Sequence, residues 1–417
     1  MPRYDVAVVG GGPAGCAAAR QIAAAGCRVA VLEEHRHIGE PLQCAGLISP
    51  RTLELSGYQG LPANELHGFT LHSPNGYTLG FTSAKTYAVV IDRVDLDRQL
   101  AARATAAGAE LLAGVRVSRL QDQDEGVTLH GTRPGRSGDF TLEARLVIAA
   151  DGARSRIARQ LGLLPRETVT MAAAEIKLGL HTGAPDDTIQ LFLGEDLAPG
   201  WFGWLFPAGD GLARIGVGVG RGRTSPRACL QRLMQKYPAY FAGAQILRYT
   251  GGSVPIGPPE RLYAGRVLLL GDAAAQVKPM SGGGLYLGLN AAAIGAQVAV
   301  QALASGDCSA DALAAYQQAW EKEYGSTLNS DLVLRELFLS LNESKMDYLT
   351  RFFNNNFWRQ LIAGHADIDY PSQLITKLLS TGLLPRRFFK LALDLGGFIG
   401  RRGAGRPDEQ IATALEK

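Results

Sequence analysis

YDVAVVGGGPAGCAAARQIAAAGCRVAVLEEH, residues 4 to 35, reads as strand, tight turn, helix and second strand. Tyr4 to Val9 is largely apolar and β-prone, the alanine-rich stretch that follows is helical, and Gly26 ends that helix before CRVAVLE (27–33) resumes as a strand. Gly10, Gly12 and Gly15 fall in the GxGxxG spacing. Gly10 allows the turn, Gly12 lets a pyrophosphate approach the backbone, and Gly15 lets helix and strand pack closely. The helix start supplies free N–H groups and a positive dipole end for phosphates. Glu33 closes the second strand about twenty residues after the glycines, where a ribose hydroxyl needs an acceptor. A glycine turn without a ligand is the competing reading, but strand, helix and terminal acid agree on dinucleotide binding and an α/β, Rossmann-like domain.

Two later segments choose the dinucleotide. RLVIAADGARSRIAR (145–159) is a buried strand that ends at Asp151-Gly152 and turns into a helix. GRVLLLGDAAAQVKPMSGGGLYLGLNAA (265–292) is another, ending at Gly271-Asp272 and followed by a proline, three glycines and a helix. Asp272 at a strand's carboxyl end can hold a ribityl hydroxyl, and Gly282 to Gly284 bring a helix N-terminus close to a planar ring. Reduced flavin is anionic at its pyrimidine edge, so a helix dipole aimed there favours reduction.

GxGxxG, then ADG, then GD before a glycine-rich helix start, resembles the FAD-dependent hydroxylase superfamily, which includes aromatic hydroxylases, flavin-dependent halogenases and geranylgeranyl reductases. The resemblance covers about residues 1 to 325 and is specific for the cofactor rather than the substrate. It implies an FAD-binding domain of the aromatic-hydroxylase type, with Ala14, Val117, Gly283, Gly284 and Leu285 among its contacts. AVVIDRVDLDRQL (88–100) resembles a segment of that family whose arginine, here Arg93, touches FAD. The alternative, an amphipathic helix start with surface charges, suits Asp97 and Arg98 better.

The substrate class turns on PGWFGWLFP (199–207), which gathers four aromatic rings in a chain that is 7% aromatic. It resembles the PxxYxWxFP pattern of geranylgeranyl reductases at Pro199, Trp204, Phe206 and Pro207, with Phe202 in place of the tyrosine. The WxWxIP pattern of halogenases fits worse. EPLQCAGLIS (40–49) resembles the reductases' cysteine-bearing loop beside the flavin, which carries Cys44 over as a catalytic and flavin-contacting residue, with backbone contacts from Ala45 and Leu47. A small buried hydrophobe is the other reading of Cys44. A prenyl chain offers hydrogen bonds only at its head, so its binding must come from apolar area, on the order of 25 cal/mol per Å². Aromatic rings supply that area with little entropy to lose. They would equally serve as the core of a second sheet.

Composition excludes other classes. Lys+Arg 42 against Asp+Glu 39 gives a formal charge of +3, too slight for a nucleic-acid binder. Five cysteines form no CxxC pair, which argues against a disulfide framework and for a reducing, cytoplasmic setting. His35 and His37, the close pair among seven histidines, have poor metal-ligand spacing, so no metal is expected. No signal peptide is evident, and no uncharged apolar run is expected to reach the roughly 20 residues of a membrane span.

The domain plan follows: an FAD-binding domain from 1–165 with 253–325, an antiparallel substrate sheet over 166–252, and a helical region over 326–417. Runs such as AAAEIKLGL, TIQLFLG and ARIGVGVG supply the sheet. Towards the end, Lys377, Arg386, Arg387, Lys390, Arg401 and Arg402 face a single acid, Asp394, in an amphipathic stretch that suits peripheral membrane contact or a covered protein face equally well.

The leading functional expectation is saturation of C=C bonds in a geranylgeranyl-type chain, on an archaeal-type lipid, quinone or pigment precursor. Reduced FAD supplies the hydride, and Cys44, Tyr87 and Tyr286 are the candidate proton donors. The single dinucleotide fingerprint is taken by FAD, so NAD(P)H must bind transiently or a ferredoxin-like electron-donor protein must dock. The alternatives are a flavin-dependent monooxygenase or halogenase acting on an aromatic substrate, with Lys85 in a plausible region, and an electron-transfer flavoprotein, which the lack of iron–sulfur cysteine spacing weakens.

Overall fold

The computed structural model describes residues 3–123, 125–133, 139–179 and 182–380. Its N-terminal strand Arg3–Val9 lies at the middle of a sheet. It pairs in parallel with Val29–Glu33 on one side and Asp139–Ala149 on the other. Glu110–Ala113 and Val267–Leu269 extend this parallel core outward. Val6–Val9, Val29–Leu32, Leu146–Ala149 and Val267–Leu269 are continuous buried runs of Val, Ile, Leu and Ala, as a sheet covered on both faces requires. A meander of Arg116–Gln123 and Gly126–Thr132 branches from the first half of Asp139–Ala149.

One face of this sheet carries two packed helices, Pro13–Ala24 and Leu285–Ser305, whose facing sides are built of alanine and glycine. Leu285–Ser305 corrects one sequence expectation. It is a 21-residue helix without a charged side chain, long and apolar enough to cross a membrane, and 61% of its apolar window is buried against the protein. Among the described residues this helix alone meets that test, and it packs as a core helix.

The second sheet has seven strands in the order Gln245–Ile256, Glu167–Lys177, Leu212–Val219, Gly203–Pro207, Thr188–Phe192, Gly68–His72, Thr78–Thr82. The last two come from within the expected 1–165 span, and the first extends beyond 252. The expected substrate lobe therefore draws on a hairpin far upstream. The link is the parallel pairing of Thr188–Phe192 with Gly68–His72, a non-local contact that no local pattern announces.

Strand alternation sorts the aromatic segment between the two faces of this sheet. Leu205 is fully buried with Ile215, Val217, Leu230 and Leu233, under the helix Pro226–Lys236. Trp204 and Phe206 point to the opposite face. The neighbouring strand makes room: a Cβ at Gly216 would stand 2.2 Å from the Trp204 ring, and one at Gly218 would stand 2.2 Å from the Trp201 ring. Trp201 also stacks on Phe202 and lies under the Arg335 guanidinium, which is itself paired with Glu167 at 2.5 Å.

After Ala310–Trp320 the chain continues through helices Ser326–Ser340, Glu343–Phe353, Asn356–His365 and Pro371–Ser380. Phe353, Trp358, Ile362 and Leu378 pack on Leu79 and Phe81 of the last strand. Of the basic residues expected to mark membrane contact, Lys377 lies in the final described helix, while Arg386, Arg387, Lys390, Arg401 and Arg402, with Asp394, lie outside the described residues.

Trp201 is 2% exposed and joins Val169, Ile256 and Val277 in one cluster, so Trp201→Ala leaves a large void. It is expected to lower the unfolding free energy by about 3–5 kcal/mol. Urea denaturation of the two proteins checks this, and a loss below about 1 kcal/mol would show that the ring is not an anchor of the second sheet.

Candidate active site

One cavity of about 1580 Å³ runs from the glycine turn of the first domain to the cavity face of the second sheet. At its first end the turn is shaped by backbone crowding. Gly10 has φ +107°, and a Cβ there would stand 2.2 Å from the Ala150 carbonyl oxygen. A Cβ at Gly15 would stand 2.1 Å from the Gly10 oxygen. Gly12 differs, because nothing lies within 4 Å of its Cβ position, and a side chain there would project into open cavity.

The polar groups at this end are poised for a ligand. The helix that starts at Pro13 has Gly12 as its N-cap, and the helix that starts at Leu285 has Gly284, neither with a side-chain cap. Their first N–H groups are thus left for other acceptors. Glu33 accepts from the backbone N–H of Gly11 at 2.8 Å and of His35 at 2.9 Å, which fixes its carboxylate at the strand end. Among the described residues Asp272 has no side-chain hydrogen-bond partner, and burial pushes its carboxyl up to about 6 while Arg93 pulls the other way. An under-partnered carboxylate, two uncapped helix starts and an open Gly12 fit a dinucleotide with hydroxyl donors and a pyrophosphate.

Arg93 begins the helix Arg93–Ala106, behind the Asp92 cap. It pairs with Asp97 at 3.0 Å, the two side chains being 11% and 13% exposed. The expectation that Asp97 is a surface charge is corrected: its carboxylate neutralises a buried guanidinium in the cavity wall. Arg98 does sit at the surface, paired with Glu40. Arg214 donates to the carbonyls of Ala45 at 2.5 Å and Ile91 at 2.9 Å, pinning the Cys44 loop. Asp151 of the ADG segment caps the short helix Arg156–Gln160, accepting from Ser155 Oγ at 2.6 Å and the Arg156 N–H at 2.8 Å.

Most of the sequence-selected residues meet in this wall. Gly10, Gly12, Ala14, Glu33, Cys44, Ala45, Leu47, Arg93, Val117, Asp272, Gly283, Gly284 and Leu285 all line the cavity. Gly15 does not; its part is helix-to-strand packing. Phe202, Trp204 and Phe206 line the far end, with Trp201. Pro199 and Pro207 stand outside the lining; the Pro199 carbonyl accepts from the Gly220 and Arg221 N–H groups and the Pro207 carbonyl from Asn64 Nδ2. The indole N–H groups of Trp201 and Trp204 are buried and have no acceptor among the described residues. Cys44 and Tyr87 line the cavity, and burial, with Asp367 and Asp369, pushes the Tyr87 hydroxyl pKa up. Tyr286 is corrected. Its hydroxyl is 2.9 Å from that of Tyr370, outside the cavity, so it is not in reach of a reacting group. Lys85 is likewise exposed and outside the lining.

Sequence reasoning missed the rest of the apolar wall. Leu71, Leu79, Ile189 and Leu191 come from the second sheet, and Phe338, Leu341, Met346, Leu349, Phe353 and Ile368 come from the C-terminal helices and their loops. An amphipathic helix that covers a cavity carries the same pattern as one that covers a core, so no sequence signal separates them. Lys278 lay within a segment read only for its aspartate and glycines.

The family model described as FAD binding domain matches residues 3–322. The chain belongs to this family of FAD-binding flavoproteins and, within it, to the geranylgeranyl reductases. It is 34% identical over 390 residues to digeranylgeranylglycerophospholipid reductase 2 of Methanopyrus kandleri, covering 90% of this chain and 96% of that one. It is 34% identical over 359 residues to the digeranylgeranylglycerophospholipid reductase of Methanothrix thermoacetophila, covering 83% and 90%. Among solved structures, a geranylgeranyl bacteriochlorophyll reductase-like protein from Thermoplasma acidophilum superposes with a TM-score of 0.79 at 24% identity, over 91% of this chain and 99% of that one. The flavin-dependent halogenase CmlS shares the fold at TM-score 0.67 and 20% identity, over 87% and 72%. The expected aromatic-hydroxylase type of FAD-binding fold is thus borne out, and FAD is the cofactor.

Asp272 sets a stability–function conflict that can be measured. Folding raises its pKa from 3.8 to about 6, so the folded, FAD-free chain binds this proton more tightly than the unfolded chain. The resulting destabilisation is absent below about pH 4 and complete above about pH 6. Asp272→Asn should therefore raise the melting temperature of the FAD-free protein at pH 7.5 and not at pH 4, while weakening FAD binding about ten- to hundredfold through loss of a charged hydrogen bond. Calorimetry at both pH values and FAD titration check it; an equal melting gain at both would remove buried charge as the cause.

Proposed function

We propose that this chain is an FAD-dependent reductase that saturates C=C bonds in geranylgeranyl-type chains carried on a glycerophospholipid. The observation that carries the reading is the continuity of one cavity, from the glycine turn and Asp272 to a wall of Phe, Trp, Leu, Ile and Met side chains. When bound and reduced, FAD supplies the hydride. The chain's own residues bind and orient the prenyl group by apolar contact alone, since Phe69, Leu71, Leu79, Ile189, Phe206 and Leu349 offer it no hydrogen bond. They also exclude water, which strengthens every electrostatic contact at the flavin end. The names of the relatives support a geranylgeranyl lipid as substrate. The Cys44 loop, held by Arg214, and the Arg93–Asp97 pair are proposed to contact the flavin, with Phe202, Trp204 and Phe206 contacting the prenyl chain. An external donor, either NAD(P)H or a small electron-carrier protein, is proposed to reduce the flavin, and contact with the membrane that holds the lipid is proposed for the C-terminal basic stretch.

The alternative of an aromatic monooxygenase or halogenase gains no support at Lys85, which is exposed and outside the lining. Purified yellow protein, reduced with dithionite under argon and given a geranylgeranyl glycerophospholipid, is expected to yield products heavier by successive pairs of hydrogens on mass spectrometry. No mass gain on any prenyl lipid, together with oxygen-dependent hydroxylation or halogenation of an aromatic, would overturn the reading.

A further inference from the structure

Adding hydrogen across an isolated alkene requires a proton as well as a hydride, and an apolar cavity holds few groups that can give one. Tyr286 faces away, the Tyr87 hydroxyl is made a weaker acid by its burial and by Asp367 and Asp369, and Cys44 stays in the lining as the other candidate donor. Lys278 meets the need by position. It lines the cavity in the turn between Asp272 and the helix that begins at Leu285, with its side chain 8% exposed. A Cβ at Gly283 would stand 2.6 Å from its Cε and 3.0 Å from its Nζ, so the ammonium lies against the glycine run at the flavin end.

Two of the three ammonium hydrogens are accounted for. Nζ donates to the Ile368 carbonyl at 2.7 Å and to Asp369 Oδ1 at 3.1 Å, which leaves one donor for an occupant of the cavity. Behind Lys278 a polar chain leads outward. Asp369, 1% exposed, accepts from Ser49 Oγ at 2.5 Å and pairs with Arg51 at 3.3 Å. Arg51 is 47% exposed and also holds Asp367 at 3.0 Å. On another side, Asp331 is buried with one carboxylate oxygen unpartnered, and burial pushes its carboxyl up to about 7 against the pull of Ser372 and Lys278. A second acid that holds a proton near neutral pH thus stands within electrostatic reach of the ammonium.

We propose that Lys278 is the catalytic residue that delivers the proton to the alkene, reloaded from water at the Asp367 edge through Asp369. This rests on the reading of the chain as a prenyl reductase. The π pair of the alkene becomes the C–H bond to the proton that leaves Lys278. The N–H pair stays on nitrogen as the amine lone pair, and the other carbon receives hydrogen with two electrons from the reduced flavin. The amine then regains its proton from solvent, and the flavin is left oxidised.

Three variants separate proton delivery from charge pairing: Lys278→Met, Lys278→Arg and the double variant Lys278→Met with Asp369→Asn. Arginine keeps the ion pair with Asp369 but does not give up its proton, and the double variant removes both buried charges together. All three are expected to bind FAD within about threefold of the parent and to be reduced by dithionite, yet to convert the geranylgeranyl glycerophospholipid on the order of 10²–10⁴ more slowly. Turnover by Lys278→Arg or by the double variant within about threefold of the parent would overturn the proposal and leave Lys278 as a structural tie. If the unmodified protein reduces no geranylgeranyl lipid, it is the functional reading that fails, a separate result visible in the same assay.

Discussion

The carbonyl oxygens of Gly10 and Ala150 occupy the space that side chains at Gly15 and Gly10 would need. That crowding lets the helix Pro13–Ala24 begin directly above the sheet, with its first N–H groups aimed along the crevice. A Cβ at either position would push helix and strand apart, and the anion-binding geometry would go with them. Everything downstream is oriented by this origin: Glu33 at the neighbouring strand end, Asp272 across the crevice, and Arg93 between them and the Cys44 loop.

Omission of Cβ atoms recurs where the cavity turns apolar. Gly216 and Gly218 alternate along one strand so that the Trp204 and Trp201 rings can lie flat on it. The opposite face of the same sheet keeps full-sized residues, Leu205, Ile215 and Val217, under a helix. A single sheet thus serves as core on one side and as substrate wall on the other, and strand alternation keeps the two functions apart. The cost is two buried indole N–H groups without acceptors among the described residues.

The C-terminal helices close the cavity, and they are tied down by charge as well as by grease. Asp367, the Ile368 carbonyl, Asp369 and Tyr370 engage Arg51, Lys278, Ser49 and Tyr286, all from the flavin-side half of the chain. A buried ion pair such as Lys278–Asp369 gains little net stability over apolar replacements, because desolvation offsets most of the attraction. Its retention in a cavity wall makes more sense as chemistry and alignment than as stability.

The N-terminal unit was legible from residues 4 to 35 because its signals are local: a strand, a turn that excludes Cβ atoms, a helix start and an acid one strand later. Asp272 was picked out by its place at a strand end, Arg93 by the resemblance of its segment to the FAD-dependent hydroxylase superfamily, and the Phe202–Phe206 rings by that of theirs to the geranylgeranyl reductases; all of them line the cavity. The failures are of another kind. Tyr286 follows the glycine run by two residues and was placed at the flavin, but the helical turn directs it to Tyr370. Asp97 was read as surface although its i,i+4 spacing sets it beside Arg93 on one helix; only the fold buries that pair in the cavity wall. Ile368, Leu349 and Phe338 carry no chemical mark, and the Gly68–His72 strand joins a sheet that begins a hundred residues later. The amino-acid order by itself determined the glycine turn, the helix start and the Glu33 acid, because all follow one another within residues 4 to 35. The depth of the tunnel, its lid and the lysine at their junction were decided by tertiary structure, because they arise from contacts between segments that share no local pattern.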